Sequence, residues 1–155
     1  MEIAIKKILC PVDFSESSAY ALRYALAFAV AYDADLELLH VMEMPFLPPY
    51  STTAAPDLSM TIERIMQESQ QALDELVERN KALHPRVTGR MVVGTPFIEI
   101  INAAKEGGVD LVVVGTHGRT GLKQILIGSV AEKVVRKSPC PVLAVKHPEH
   151  DFIMP

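Results

Sequence analysis

Asp110-Leu111-Val112-Val113-Val114-Gly115 is the stretch that decides the fold. Four consecutive aliphatic residues stand between an aspartate and a glycine, with no polar residue breaking the run. A strand wetted on one face would alternate apolar and polar positions, so a continuous run belongs to a strand covered on both faces. Strands of that kind lie inside parallel sheets, which need a crossover, usually a helix, between successive strands. The chain on either side agrees. Upstream, Thr95-Pro96 reads as an N-cap followed by proline at the first helical position, opening a helix that stops at Gly107-Gly108. Downstream, Gly128 to Arg136 reads as a last helix and Val142 to Val145, between Pro141 and Lys146, as a last strand.

Further from the centre the alternation continues. Ile3 to Val12 reads as a first strand, stopped at Pro11-Val12-Asp13. Ser15 or Ser17 can cap a helix in which Leu22, Ala25, Leu26, Ala29 and Val30 recur at helical spacing until Asp33 ends it. Leu36 to Met42 reads as a second strand, and Glu43 to Pro56, with its four prolines, as a connecting loop inside the domain. From Asp57 to Leu83 a long amphipathic helix is expected, stopped by Pro85, and Val87 to Val93 reads as a third strand closing on Gly94. The expected order is strand-helix repeated from one end to the other. Crossovers of that kind are right-handed, so the class is α/β, a doubly wound and mostly parallel sheet with helices on both faces.

Composition narrows the possible functions. Length, 155 residues, matches one compact domain, and 49% apolar with 22% charged residues is too apolar for a disordered chain. A net charge of −4 makes non-specific tracking of a phosphate backbone a poor fit, so no nucleic acid is expected as a partner. The longest apolar stretch, Tyr24 to Tyr32, holds nine residues, where a membrane-spanning helix needs about 20. No membrane partner is expected either. The start, MEIAIKKILCPVD, lacks a sustained apolar region and a small-residue cleavage site, which points to a cytoplasmic protein. Cys10 and Cys140 are too few and too far apart for a disulfide framework or a zinc cluster, so both are read as reduced apolar fillers at strand ends.

Ligands of open α/β sheets bind beyond the carboxyl ends of the strands, where the strand order reverses. The loop after the fourth strand, Gly115-Thr116-His117-Gly118-Arg119-Thr120-Gly121-Leu122-Lys123, leads to Gly128-Ser129 at a helix start. Glycines allow backbone N–H groups to converge on an anion, and a helix N-terminus adds unpaired donors and positive dipole. Between Thr116 and Ile127 the charges are Arg119 and Lys123, with no acidic residue, in a chain that is acidic overall. Phosphate is the natural guest, and an ordinary connecting loop is the competing reading. Neither G-x-x-x-x-G-K-[ST] nor a G-x-G-x-x-G after the first strand occurs, which removes P-loop nucleoside triphosphatases and leaves a dinucleotide site without its fingerprint.

The spacing Gly115-x2-Gly118-x9-Gly128-Ser129 resembles the ATP-binding motif of universal stress proteins, and ILCPVDFSESS, LLHV, VDLVVVGTHGRTG and SPCPVLAV resemble that family's other signatures, across residues 3 to 146. The resemblance implies a Rossmann-like sheet of five strands in the order 3-2-1-4-5 and one nucleotide-binding domain over residues 1 to 155. It implies that Asp13 meets the ribose hydroxyls, that Pro11, Val12 and the main chain at Val41 line an adenine pocket, and that Gly115, Gly118, Gly128, Ser129 and Val130, with Arg119, hold the phosphates. Left-handed backbone is expected at Gly118, whose replacement by valine would then be resisted. Read alone, Asp13 is better explained as a cap or first-turn charge of the first helix. One departure is Gly94-Thr95-Pro96-Phe97, where family members often carry an acidic residue beside the proline.

His117 invites an acid–base role beside a phosphate, but no carboxylate lies nearby in sequence, and a solvated residue or a neutral donor to phosphate is expected instead. His40, alone inside a strand, reads as structural, and no protein metal site is expected. Magnesium or manganese would arrive with the phosphates. The reading is therefore a cytoplasmic ATP-binding stress protein whose nucleotide is a bound effector. Two alternatives stand beside it: a slow ATP hydrolase or ATP-dependent transferase, although nucleotidyl transfer lacks an H-x-G-H motif, and a nucleotide-free interaction protein of the same fold. The last strand, Val142 to Val145, would lie at the sheet edge with its backbone unpaired, so a homodimer through that strand is expected, the competing arrangement being a tail that covers the edge through Phe152 and Ile153.

Overall fold

The computed structural model describes residues 3–44, 55–118 and 127–148. Nine elements alternate: β1 (Lys7–Pro11), α1 (Glu16–Tyr32), β2 (Asp35–Met42), α2 (Ala55–Lys81), β3 (Val87–Val93), α3 (Pro96–Glu106), β4 (Leu111–Gly115), α4 (Ser129–Lys137) and β5 (Val142–Val145). The five strands form one sheet in the order β3-β2-β1-β4-β5, and every pairing is parallel. Chain direction across the sheet reverses between β1 and β4, where the chain stops adding strands on one side and begins on the other.

Side-chain alternation along the strands sorts the interior into two layers. Ile8, Cys10, Leu36, Leu38 and Val113 pack with Ala21, Leu22 and Ala25 of α1 and with Leu73 and Val77 of α2. Leu9, Leu39 and Val112 pack on the opposite face with Ile100, Ala103 and Ala104 of α3 and Val134 of α4. Both faces of β1 and β4 are thus covered, which is why their sequences read as unbroken apolar runs. Burial pushes the Cys10 thiol up to about 12, so it is protonated and inert as a nucleophile, as a buried filler should be.

Local signals set the helix ends. The Ser15 side chain accepts from the Ser18 N–H at the start of α1, and Asp33 closes that helix in the left-handed conformation, donating its N–H to the carbonyls of Ala29 and Val30. Gly108, at φ +59°, supplies the left-handed turn after α3 that the Gly107-Gly108 pair foretells. Thr95 stands at the N-cap of α3, but its carbonyl and not its hydroxyl is engaged, accepting from the N–H groups of Ile98 and Glu99.

Some boundaries differ from the sequence reading, each for a tertiary reason. The first strand is not Ile3–Val12: pairing begins at Lys7, opposite Asp35, because the Asp110 carboxylate takes the N–H groups of Lys6 and Lys7 at 2.8 and 3.0 Å. Asp110 accordingly precedes the fourth strand instead of starting it. Helix α2 begins at Ala55, ahead of Asp57, with Pro56 in the first turn, where its missing N–H costs no hydrogen bond. Most of the expected proline loop, the residues Arg119, Gly121 and Lys123, and the tail with Phe152 and Ile153 lie outside the described residues. Among the described residues no helix is long and apolar enough to cross a membrane.

Candidate nucleotide-binding site

A cleft of about 430 Å3 opens at the carboxyl ends of β1, β2 and β4, at the switch point of the sheet. Pro11, Val12, Asp13, Val41, Gly115, Gly118, Gly128, Ser129 and Val130 all line it. Residues far apart in sequence therefore meet in one concavity. Arg119 lies outside the described residues, and nothing is assigned to its side chain.

The turn after β1 holds Asp13 in place. Its Oδ1 accepts from the Ser15 N–H at 3.0 Å and from the Ser15 hydroxyl, while its own N–H lies 3.4 Å from the Ser18 hydroxyl. The first-turn role weighed for Asp13 is thus real: one carboxylate oxygen serves the start of α1. The other, Oδ2, faces the loop after β4, 3.2 Å from where a side chain on Gly118 would begin. Phe14 follows in the left-handed region at φ 63°, a strained conformation for a bulky residue. Its ring lies 4.6 Å from that of His40, whose Nδ1 stands 2.8 Å from the Val12 carbonyl. A carbonyl only accepts, so Nδ1 carries the proton of this bond, and the structural reading of His40 holds.

Each glycine of the motif has its own steric reason. A Cβ on Gly115 would meet the Ser17 Oγ at 2.6 Å and the Ser17 carbonyl oxygen at 2.8 Å, because the start of α1 rests directly on the end of β4. A Cβ on Gly118 would crowd the Asp13 carboxylate, and one on Gly128 would approach the Thr116 carbonyl oxygen at 3.2 Å. Left-handed backbone, expected at Gly118, is not found there; among the described glycines it belongs to Gly108. Gly118 is small because Asp13 is close, not because its φ is positive.

Helix α4 starts at the floor of the cleft. Gly128 is its N-cap, and among the described residues no side chain caps the N–H groups of the first turn, from Ser129 onward. A helix start of this kind, at the positive end of the helix dipole, suits an anion. His117 does not fulfil the solvated expectation: it is buried, its Nδ1 lies 2.9 Å from the Thr116 hydroxyl, and its N–H donates to the Ser17 Oγ at 3.3 Å.

The cleft therefore has three chemically distinct parts. Pro11, Val12, Leu39 and Val41 make an apolar wall, Asp13 offers an acceptor for hydroxyl groups, and the start of α4 offers donors for an anion. Sequence reasoning missed contributions from three helices: Ser18 of α1, Ile65 and Ser69 of α2, and Pro96 and Ile100 of α3. Their signal was weak, since an apolar position on a helix does not say whether sheet or cleft lies beneath it.

Comparison with known proteins places this arrangement. The Universal stress protein family model matches residues 4–146. The chain belongs to that family. A universal stress protein of Methanocaldococcus jannaschii is 35% identical over 147 residues, covering 94% of this chain and 85% of that protein. A second protein of the same organism, also a universal stress protein, has a solved structure that superposes with a TM-score of 0.82 at 33% identity, covering 95% of this chain and 99% of that one. A solved universal stress protein in complex with cAMP is 28% identical, with a TM-score of 0.67, covering 92% of this chain and 97% of that one. The fold of this universal stress protein is accordingly one shared with a solved relative that is in complex with cAMP.

Proposed function

We propose that this universal stress protein binds ATP in the switch-point cleft and that the nucleotide acts as a bound effector in a stress response in the cytoplasm. The observation that carries the reading is that one concavity brings together apolar residues, a carboxylate and a helix start without a side-chain cap. A base, a ribose and a phosphate chain carry the complementary groups. The cAMP complex of a relative supports the adenine assignment. In this reading Asp13 accepts from the ribose hydroxyls, Pro11, Val12 and the main chain at Val41 cover the base, and Gly115, Gly118, Gly128, Ser129 and Val130, with Arg119, surround the phosphates. Magnesium or manganese would be held mainly by phosphate oxygens and water; among the described residues no cluster of three or more His, Cys, Asp or Glu could hold it.

Acid denaturation of purified protein followed by chromatography of the released nucleotide tests the proposal directly, and calorimetry with ATP and GTP tests the base. ATP is expected to bind in the micromolar range and more tightly than GTP, because main-chain groups near Val41 read the adenine edge. Equal affinities would sink the adenine assignment. Replacing Asp13 with alanine is expected to weaken ATP binding by about 1 to 3 kcal/mol, the scale of lost charge-assisted hydrogen bonds. If 2′,3′-dideoxy-ATP binds the wild type as well as ATP does, the ribose role is wrong.

A slow hydrolase is the second reading, favoured by the buried His117 in the wall of the cleft. Phosphoryl transfer needs a nucleophile held in line, and the Asp13 carboxylate is already engaged by Ser15. Release of inorganic phosphate at saturating ATP, abolished by His117→Ala, would establish turnover.

The protein is further proposed to be a homodimer through β5. Among the described residues this strand pairs with β4 alone, and Ala144 at its middle is exposed. A two-fold copy pairing antiparallel would satisfy both edges and close on itself. Sedimentation equilibrium at micromolar concentration is expected to give a dimer, and Ala144→Pro, which removes an N–H that the β4–β5 ladder leaves facing outward, to shift it towards monomer. A monomeric wild type would remove β5 from any interface.

A further inference from the structure

Helix α2 is much longer than the strands it packs on. Its 27 residues span about 40 Å, whereas the seven residues of β3 span about 23 Å. Only its second half reaches the interior: Leu73 and Val77 are buried, packed so closely that a side chain on Gly89 of β3 would begin 2.7 Å from Val77. From Leu58 to Ala72 no residue is buried. The first half therefore overhangs the carboxyl edge of the sheet, where Ile65 and Ser69, one turn apart on one face, line the nucleotide cleft.

Ile65 is 42% exposed. A β-branched aliphatic side chain left that open on the wall of a cleft leaves apolar surface for a flat ligand to cover. Val12, Leu39 and Val41 line the same cleft from the sheet side. We infer that Ile65 forms the outer wall of the base slot, so that an adenine ring is sandwiched between the α2 overhang and the ends of β1 and β2. The inference rests on the ATP reading above and adds to it a residue from an element that carries none of the motif. It also gives the overhang a reason, since a helix needs no extra turns to cover a seven-residue strand.

The contact is with the base alone, so its loss should not depend on the number of phosphates. Calorimetric titration of wild type and Ile65→Ala with ATP, ADP and AMP tests this. The variant is expected to bind all three about tenfold more weakly, by the same factor, with the free energy of that factor matching the apolar surface of one aliphatic side chain. Ile65→Leu, which keeps the apolar volume, is expected to restore most of the affinity. Unchanged affinities in Ile65→Ala would overturn the inference, as would a factor that grows from AMP to ATP, because Ile65 would then act through the phosphate end. A wild type that binds no adenine nucleotide would instead overturn the ATP reading itself, so the two failures are distinguishable. Far-UV circular dichroism of each variant checks the helix, whose half-exposed residue 65 bears on no buried contact.

Discussion

Replacing Gly118 with valine is expected to abolish ATP binding while leaving the domain folded. The Cβ of any side chain there starts 3.2 Å from the Asp13 Oδ2, tighter than ordinary van der Waals contact, and the two valine methyl groups extend further into the cleft. Either the Asp13 carboxylate moves off the ribose position or the loop after β4 moves off the phosphates. Affinity should fall at least about 100-fold, about 2.7 kcal/mol. The fold should survive because Gly118 is exposed and its φ is not left-handed, so no buried contact and no special backbone conformation is lost. Calorimetry would detect no binding at concentrations that saturate the wild type, with an unchanged circular dichroism spectrum. A folded variant with the wild-type dissociation constant would return this loop to an ordinary connection.

Gly115→Val, three residues away in the same motif, is expected to fail in the opposite way, by loss of stability. Here the new Cβ would meet the Ser17 Oγ at 2.6 Å, the Ser17 carbonyl oxygen at 2.8 Å and its carbonyl carbon at 2.9 Å. Two of these are backbone atoms of α1 and cannot swing aside as a flexible side chain would. Relief requires α1 to lift from the end of β4, where it also holds His117 through the Ser17 Oγ. Overpacking a well-filled interior costs about 1 to 3 kcal/mol, and a clash with backbone belongs at the upper end. For a chain of this length about 3 kcal/mol corresponds to a melting point lower by roughly 6 to 12 °C. Urea unfolding at constant slope gives the same quantity. A variant within about 0.5 kcal/mol of wild type would show that the close approach of Ser17 is not rigid. The pair separates two kinds of glycine inside one motif, one set against the Asp13 carboxylate and the other against a helix.

The reading of His117 shows where sequence reasoning reached its limit. No acidic residue stands near it in the chain, so the sequence points to a solvated side chain or a neutral donor to phosphate. The partners that bury it are Thr116, its neighbour, and Ser17, a hundred residues earlier. Similarly, the start of α2 was legible as an amphipathic helix, but its period is the same over sheet and over cleft. That Leu73 faces the core and Ile65 the cleft follows from where β3 ends, which no property of α2 encodes.

By itself the sequence determined the alternation of strands and helices, their approximate ends, and the two-sided burial of the central strands. These depend on short-range physics: side-chain period, the Ser15 cap, the left-handed ends at Asp33 and Gly108, and proline in first turns. It also determined the family, because the spacing of Gly115, Gly118 and Gly128 is itself a linear property. Tertiary structure alone decided why each glycine is a glycine, that Asp13 faces Gly118 across more than a hundred residues, and that the first strand starts at Lys7, held by Asp110. Those facts depend on which segments the parallel pairing of β1 with β4 brings within a few ångströms of each other, and contacts of that range leave no periodic trace in the chain.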